Sequence, residues 1–524
     1  MAAASWQAST TSSDLPLGAG RLCGRRRLYP RGPAVRQIVI LGGGTAGWMA
    51  AAALSRFLPA NHRVTLVESA TIGTVGVGEA TIPQIRLFNA SLGIEQDSFL
   101  AATQGTIKLG IEFVGWTGPD SRYIHAFGTV GRGLGLVPFH HYWLRGQSGA
   151  LSEYSVAAAA ATAGRFAPDL GRPDLPTGLT WAYQFDAGLY ADLLRQHAEG
   201  RGVARVEGTV AEVARDPLSG DVTALIMVDG RRIAGDLFID CSGFRSLLVG
   251  GAMGVPFDDW SRWLPCDRAL AVPSEVTQPI QLFTRATART AGWQWRIPLR
   301  HRTGNGLVFC STFMDEAAAA AELMGGLDAP ARAEPRLIRF TTGRRTRAWA
   351  GNCVALGLAS GFMEPLESTS LHLVQSGIAR LLQFWPGEHI ATADRDAFNR
   401  ETEREWTAIR DFLVLHYRAN TRAEPFWQAC RATPLPDQLA TKLDLFRASG
   451  RIVREGDELF TEVGWLQVLL GQGVHPNAYH PLADAPSAGD LASFLDAQRQ
   501  HVAAVVGRMP THDEFLRAAT EELQ

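Results

Sequence analysis

The stretch Arg36-Gln37-Ile38-Val39-Ile40-Leu41-Gly42-Gly43-Gly44-Thr45-Ala46-Gly47-Trp48 decides the fold. Its first six residues read as a short buried strand, and the run Trp48 to Phe57 that follows the glycines reads as a helix. A second strand, Arg63 to Val67, ends at Glu68. Strand, G-x-G-x-x-G turn, helix, strand and acid in this order describe a dinucleotide site. Gly42 permits the tight turn, Gly44 lets the backbone approach a pyrophosphate, and Gly47 packs helix on strand. Thr45 and Ala46 lie in the turn, and the N-terminus of the helix that follows it attracts phosphates. The Glu68 carboxylate suits a pair of ribose hydroxyls. Gln37 to Ser55 carries no charge over 19 residues. The glycines and the change of period midway make it a strand turning into a helix, not a membrane span.

Outward from this unit, Ala204 to Asp240 is β-rich, with a turn at Asp216–Asp221, and runs into the small-residue turn Cys241-Ser242-Gly243. Another buried strand, Asn352 to Leu356, enters a Gly/Ser turn. Apolar strands ending in small-residue turns, far apart in sequence, suit a parallel sheet whose loops converge on one ligand. Gln281 to Phe313 reads as strands of a second sheet. Helical periodicity then dominates over Thr369–Phe384, Asp394–Leu415, Leu435–Ala448 and Asp490–Val506. The Ala-rich runs at 157–163 and 317–321 read as helix or linker, and no internal repeat is visible. The expected organisation is a disordered leader over 1–35, a dinucleotide module with an interleaved substrate sheet over 36–370, and a mainly helical substrate-side region over 371–524.

The chain has 524 residues, which suggests two or three cooperating modules. Its formal net charge is −2, which argues against nucleic acid or an anionic membrane as the main partner. The leader is Arg- and Ser-rich but has no apolar h-region, so it is not a secretory signal. Six scattered cysteines form no C-x-x-C pair, so no metal site is expected, and they fit a reducing, cytoplasmic interior. Among the 50 cationic side chains only Lys108 and Lys442 are lysines. An Arg-rich genome explains the average; it does not explain why those two positions kept an amine.

Four segments then narrow the family: Gly42–Ala51, Gly76-Val77-Gly78-Glu79-Ala80-Thr81-Ile82-Pro83, Trp293-Gln294-Trp295-Arg296-Ile297-Pro298 and Glu364-Pro365-Leu366-Glu367-Ser368-Thr369. Together they resemble the flavin-dependent tryptophan halogenase family, from about residue 36 to the C-terminus. The W-x-W-x-I-P element is far more specific than the glycine turn. The resemblance implies an α/β fold with a Rossmann-like FAD-binding module of the aromatic-hydroxylase and glutathione-reductase type, a second β-sheet layer and a helical C-terminal region. It also implies an enzyme that uses FADH2, dioxygen and chloride or bromide to halogenate an electron-rich aromatic carbon, supplied by a separate flavin reductase. For flavin contacts the resemblance adds Val77, Ala80, Val210, Leu358 and Leu371.

Hypohalous acid is reactive and diffusible, so such an enzyme must confine it and aim it. A primary amine can do so by hydrogen bond or as a haloamine, and a lysine amine loses its charge readily when desolvated. Lys108, before Phe113-Val114-Gly115-Trp116, matches the family's catalytic lysine. Glu367 matches its catalytic glutamate, which would stabilise a cationic ring intermediate or take its proton. The backbone amides of Thr369 and Ser370 match the halide site; well-known tryptophan members have glycine where Ser370 stands, which leaves chloride against bromide open. Trp293 and Trp295 match a wall that keeps organic substrate from the flavin. Aromatic hydroxylases carry a Gly-Asp pair after the late strand, whereas this chain reads Leu356-Gly357-Leu358-Ala359-Ser360.

His125 and Phe127 match substrate-pocket positions, where an aromatic stack would hold an indole-like ring. Of the segment that grips the amino acid in tryptophan-specific members, only Trp465 carries over. The substrate stays open among tryptophan, bare indole, another small aromatic, and a carrier-bound or peptide substrate. A homodimer is compatible with this reading. The competing classes are an FAD-dependent aromatic monooxygenase and a non-catalytic flavin-binding protein.

Overall fold

In the computed structural model, the described residues are 35–69, 78–168, 170 and 177–521. The expected leader over 1–35, apart from Val35, and Val77 therefore lie outside the described residues. Arg36–Leu41 is a strand buried over its last four residues, and it sits at the centre of a six-stranded sheet. Its neighbours are both parallel: His62–Glu68 on one side, with Ile38 opposite Val64, and Leu237–Asp240 on the other, with Ile38 opposite Leu237. Ala204–Glu207 closes one edge, and Cys353–Ala355 with Trp349–Ala350 closes the other. Burial on both faces is why these strands are continuous apolar runs without alternation. The 19-residue uncharged stretch is this strand, the glycine turn and the Thr45–Phe57 helix. No helix among the described residues is long and apolar enough to cross a membrane.

The second sheet has seven strands, in the order Arg336–Arg339, Arg268–Ser274, Thr303–Phe309, Gly292–Pro298, Phe283–Arg289, Gly110–Val114 and Arg122–Ala126. Only Phe283–Arg289 against Gly110–Val114 is parallel. Its strands alternate. Trp293, Trp295 and Ile297 face one side with Ala286 and Phe113 and join a large apolar cluster; the residues between them face the other. A small three-stranded sheet, Gly78–Ala80, Ala182–Asp186 and Thr106–Lys108, delivers Lys108 at the end of its edge strand, opposite Ala182.

From Ser370 onward the chain is helical, as expected, and it also contains helices that the periodicity did not reveal: Pro425–Ala432, Glu462–Gly471 and His512–Glu521. The 27-residue helix Thr392–Arg418 buries Phe412, Leu413, Leu415 and His416 against the second sheet's cluster. Arg36 to Gln524 clusters as one compact unit. The change at 370 is thus one of composition, from strands to helices, within a continuous body.

Candidate active site

The glycine turn is built for a close ligand. Gly42 has φ of +116° and lies so near the Cys241 carbonyl that no side chain fits, and Gly47 packs on the Gly42 carbonyl in the same way. A Cβ on Gly44, in contrast, would meet nothing within 4 Å. Gly44 is the N-cap of the Thr45–Phe57 helix and, having no side chain, leaves the first helical amides without a side-chain cap. Glu68 pairs with Arg205 through one oxygen and turns the other toward Gly43. An open helix start beside a carboxylate suits a pyrophosphate and a ribose. The donor set therefore fits FAD.

The other positions expected at the flavin lie in several elements. Leu358 lies in the short turn after Cys353–Ala355, where Gly357 abuts Ala46. Leu371 is buried in the next helix. Val210 is half-buried at the head of a strand in a separate three-stranded sheet; two residues earlier, Gly208 donates to the Glu68 carbonyl at 2.8 Å. Ala80 is buried in the cluster that contains Trp295 and Ile297.

Lys108 is 0 % exposed. Its Nζ donates to Ser368 Oγ at 2.7 Å and stands 5.4 Å from the centre of the Phe127 ring. Burial pushes the amine down to about 7, against the pull of Glu367 and Glu79. Desolvation favours the neutral form of a base, and here it brings a lysine into the range where free amine exists near neutral pH.

Glu367 is 1 % exposed and ends the single turn Pro365–Glu367. Its Oε2 lies 2.9 Å from His125 Nδ1, and its Oε1 lies 2.8 Å from His416 Nε2. The second contact is an ion-pair approach without hydrogen-bond alignment, since both atoms lack a straight partner. Burial by itself would raise this carboxyl; His125, by charge and hydrogen bond, and His416 carry it down to about 2. Burial also lowers His416, with Glu367 pulling it back up. Gln472 Nε2 lies 3.3 Å from His416 Nδ1. An amide NH2 only donates, so Nδ1 accepts and the ring proton is on Nε2.

The residue between Glu367 and Thr369 is unusual. Ser368 has φ of +57°, a left-handed conformation that costs a non-glycine residue about 1 kcal/mol. It turns the chain so that Ser368 reaches Lys108 while Glu367 reaches the histidines. Thr369 is then the N-cap of the 14-residue helix Ser370–Gln383 and makes no side-chain cap bond. That open helix start, next to Lys108 and Glu367, is suited to an anion.

His125 is buried, packed 5.7 Å from Phe412 and 6.2 Å from Phe460, ring centre to ring centre. Phe412 and Phe460 stack at 3.8 Å, and Trp465 meets Phe412 edge-on at 4.8 Å. The Trp465 Nε1 is buried without a partner. Trp293 and Trp295 are both buried, with ring centres 6.2 Å apart. Trp293 Nε1 donates to Glu364 Oε2 at 2.7 Å, and the Tyr417 hydroxyl donates to the same oxygen. Glu364 thus joins the W-x-W strand to the turn that carries Glu367. Burial pushes this carboxyl up to about 7, and the Tyr417 and Trp293 hydrogen bonds moderate the rise.

The structure brings Lys108, Glu367, Thr369, Ser370, His125, Phe127 and Trp465 into one connected set. The sequence reading did not find Ser368, Glu364, His416, Phe412 or Phe460. The i, i+4 spacing of Phe412 and His416 is a signal of a shared helix face, but it names no partner. The other lysine, Lys442, is partly buried. It pairs with Glu458 at 2.6 Å, is 14 % exposed, and places Nζ 5.4 Å from the Trp465 ring. Among the described residues no group of three or more His, Cys, Asp or Glu side chains could hold a metal ion.

The family model described as "Tryptophan halogenase" matches residues 37–488. Tryptophan 7-halogenase RebH of Lentzea aerocolonigenes is 35% identical over 92% of this chain and 98% of its own. Among solved structures, the flavin-dependent halogenase Xcc4156 from Xanthomonas campestris is 49% identical with a TM-score of 0.90, covering 93% of this chain and 99% of that one. BrvH, a flavin-dependent halogenase from Brevundimonas sp. BAL3, is 46% identical with a TM-score of 0.88 over the same shares.

Proposed function

This chain belongs to the tryptophan halogenase family, and we propose that it halogenates an electron-rich, indole-like aromatic carbon, with Lys108 handling the halogen and Glu367 handling the proton. The observation that carries this reading is the fully buried Lys108 amine, held at 2.7 Å by Ser368 beside an ionised carboxylate. Bound and reduced, FAD supplies hypohalous acid from dioxygen and halide; Gly42, Gly44, Thr45, Ala46, Gly47 and Glu68 would hold it, with Val77, Ala80, Val210, Leu358 and Leu371 around it.

The residues on the chain do the rest. A neutral Lys108 has a lone pair, so it can accept a hydrogen bond from hypohalous acid or displace its hydroxyl to give a haloamine and water. Either way the halogen is fixed at one place, which is the positional part of catalysis. Ser368 fixes the amine. The aromatic carbon attacks the halogen, and the bond to nitrogen or oxygen breaks. The positive charge left on the ring is opposed by Glu367, which is held ionised by His125 and His416 and can accept the ring proton. The amides of Thr369 and Ser370 would hold halide. Trp293 and Trp295 would stand between flavin and substrate, with Glu364 fixing the first of them.

His125, Phe127 and Trp465 would line the substrate pocket, with Phe412 and Phe460. Lys442, whose Nζ lies 5.4 Å from the Trp465 ring, and Glu458 already pair with each other. They offer no free charge for an amino acid's ammonium and carboxylate, which favours an indole-like ring without them. A separate cytoplasmic flavin reductase would supply FADH2.

The test is a reaction with regenerated FADH2, chloride or bromide, and a panel of indoles and phenols, read by mass spectrometry. Wild type should give halogenated product, and Lys108→Ala and Lys108→Arg none, with FAD binding retained. Wild-type turnover by Lys108→Arg would sink the primary-amine role. Oxygenated product with untouched halide would identify a monooxygenase instead.

A further inference from the structure

We propose that the outer face of the seven-stranded sheet carries an oxyanion site, seated on Arg285, Arg289 and Arg296, that takes a phosphate group. A cleft of about 190 Å³ opens there, lined by these three arginines and Arg122, with Asp328 as the single carboxylate in its wall. Whole-ligand pockets usually run to about 300–1,000 Å³, so this cleft suits one anionic group.

The sheet register makes the arrangement costly without an anion. Arg285 stands directly opposite Arg296 across the antiparallel pair of strands, and like charges so placed repel. Glu112, opposite Arg285 on the next strand, takes both Arg122 and Arg285, at 2.7 and 2.6 Å. Asp328 reaches over the opposed pair, contacting Arg296 and lying 3.7 Å from Arg285. Glu322 attracts Arg289 from the rim. Three carboxylates against four guanidiniums leave a positive excess. Arg296 is 12 % exposed, and its Nε is buried without a hydrogen-bond partner. Burial, with Arg285 and Arg289 as neighbours, pushes that guanidinium down to about 10.

Guanidinium forks match the oxygens of phosphate two at a time. Asp328 comes from the loop after the Glu316–Gly325 helix and is 47 % exposed. It is an internal carboxylate on the two opposed guanidiniums, and a phosphate would displace it. The site lies behind the tryptophan wall: on the Gly292–Pro298 strand, Trp293 and Trp295 face the core, while Gln294 and Arg296 line the cleft.

The test is isothermal titration of the full chain with inorganic phosphate and, separately, with adenosine 5′-monophosphate, at constant ionic strength. Wild type should bind phosphate saturably. Arg296→Gln should weaken binding by about tenfold or more, and Asp328→Asn should tighten it by removing the competitor. Equal binding of the nucleotide would assign a phosphomonoester as occupant; binding of phosphate alone would assign the free ion. Arg289→Met replaces Arg296→Gln if the latter does not fold. No saturable heat with either ligand overturns the site. So do equal heats with chloride, an unchanged affinity in the arginine variants, or weaker binding by Asp328→Asn.

Discussion

Replacing Lys108 by methionine should abolish turnover and yet make the protein more stable, by an amount that depends on pH. Methionine keeps an unbranched side chain of similar length and removes the amine. In the folded protein the amine sits at about 7 instead of 10.5. At about 1.36 kcal/mol per pH unit, that difference is on the order of 5 kcal/mol. It is the cost of burying the charged form, fully present below pH 7, where both folded and unfolded chains are protonated. Between pH 7 and 10.5 the unfolded chain binds more protons than the folded one, so wild-type stability rises with pH from this residue. The bond to Ser368 offsets about 1–3 kcal/mol of the gain from removing the charge. The methionine variant should therefore exceed wild type by about 2–4 kcal/mol at pH 6. That advantage should shrink by about 1.36 kcal/mol per pH unit above 7. Urea unfolding of flavin-free wild type and variant at matched pH values measures the difference; titration of groups remote from Lys108 cancels between them, and a Glu79→Gln background removes the carboxyl that is coupled to it. A difference that stays constant from pH 7 to 10 would refute the depressed amine and with it the argument for a neutral nucleophile.

Three further outcomes are expected. Burial raises the Glu364 carboxyl from 4.5 to about 7, so its stabilising protonation is complete below 4.5 and lost as pH rises through 7. Glu364→Gln should match wild type at pH 5 and gain about 3 kcal/mol at pH 8; equal effects at both pH values, by urea unfolding, would contradict this. His512 accepts from the Ile107 amide at 3.3 Å, and burial lowers its ring from 6.5 to about 4. The folded chain thus lags the unfolded one in proton uptake as pH falls below 6.5, and wild type should lose on the order of 3 kcal/mol by pH 4. His512→Gln should flatten that limb of the unfolding curve. Finally, a Cβ on Gly464 would lie 3.1 Å from His125 Nε2. Gly464→Ala should lower kcat/KM about tenfold by displacing that ring without changing FAD binding; unchanged kinetics would remove His125 from the pocket.

The parts of the fold legible in sequence were those written locally. The Arg36–Gly47 strand and turn and the buried runs of the parallel sheet declare themselves by period and glycine. Lys108 and Glu367 were legible because each lies inside a motif. Ser368 and Glu364 lay in the same motif but gave no sign of their partners, since the bond from Trp293 to Glu364 joins residues 71 positions apart. His416 and Phe412 are unremarkable on their helix until packing sets Phe412 against His125 and His416 against Tyr123, both from a strand almost three hundred residues earlier in the chain. The helical position of Lys442 discloses nothing about its partner Glu458, which lies on a different segment.

The left-handed Ser368 has an evolutionary side. Glycine at this position would release its backbone strain, worth about 1 kcal/mol, but it would also strip the buried Lys108 amine of an acceptor worth about 1–3 kcal/mol. Screens for thermostable variants and screens for active ones should consequently hold the same serine, and a library of residue 368 sorted only by heat resistance should keep the amine anchored.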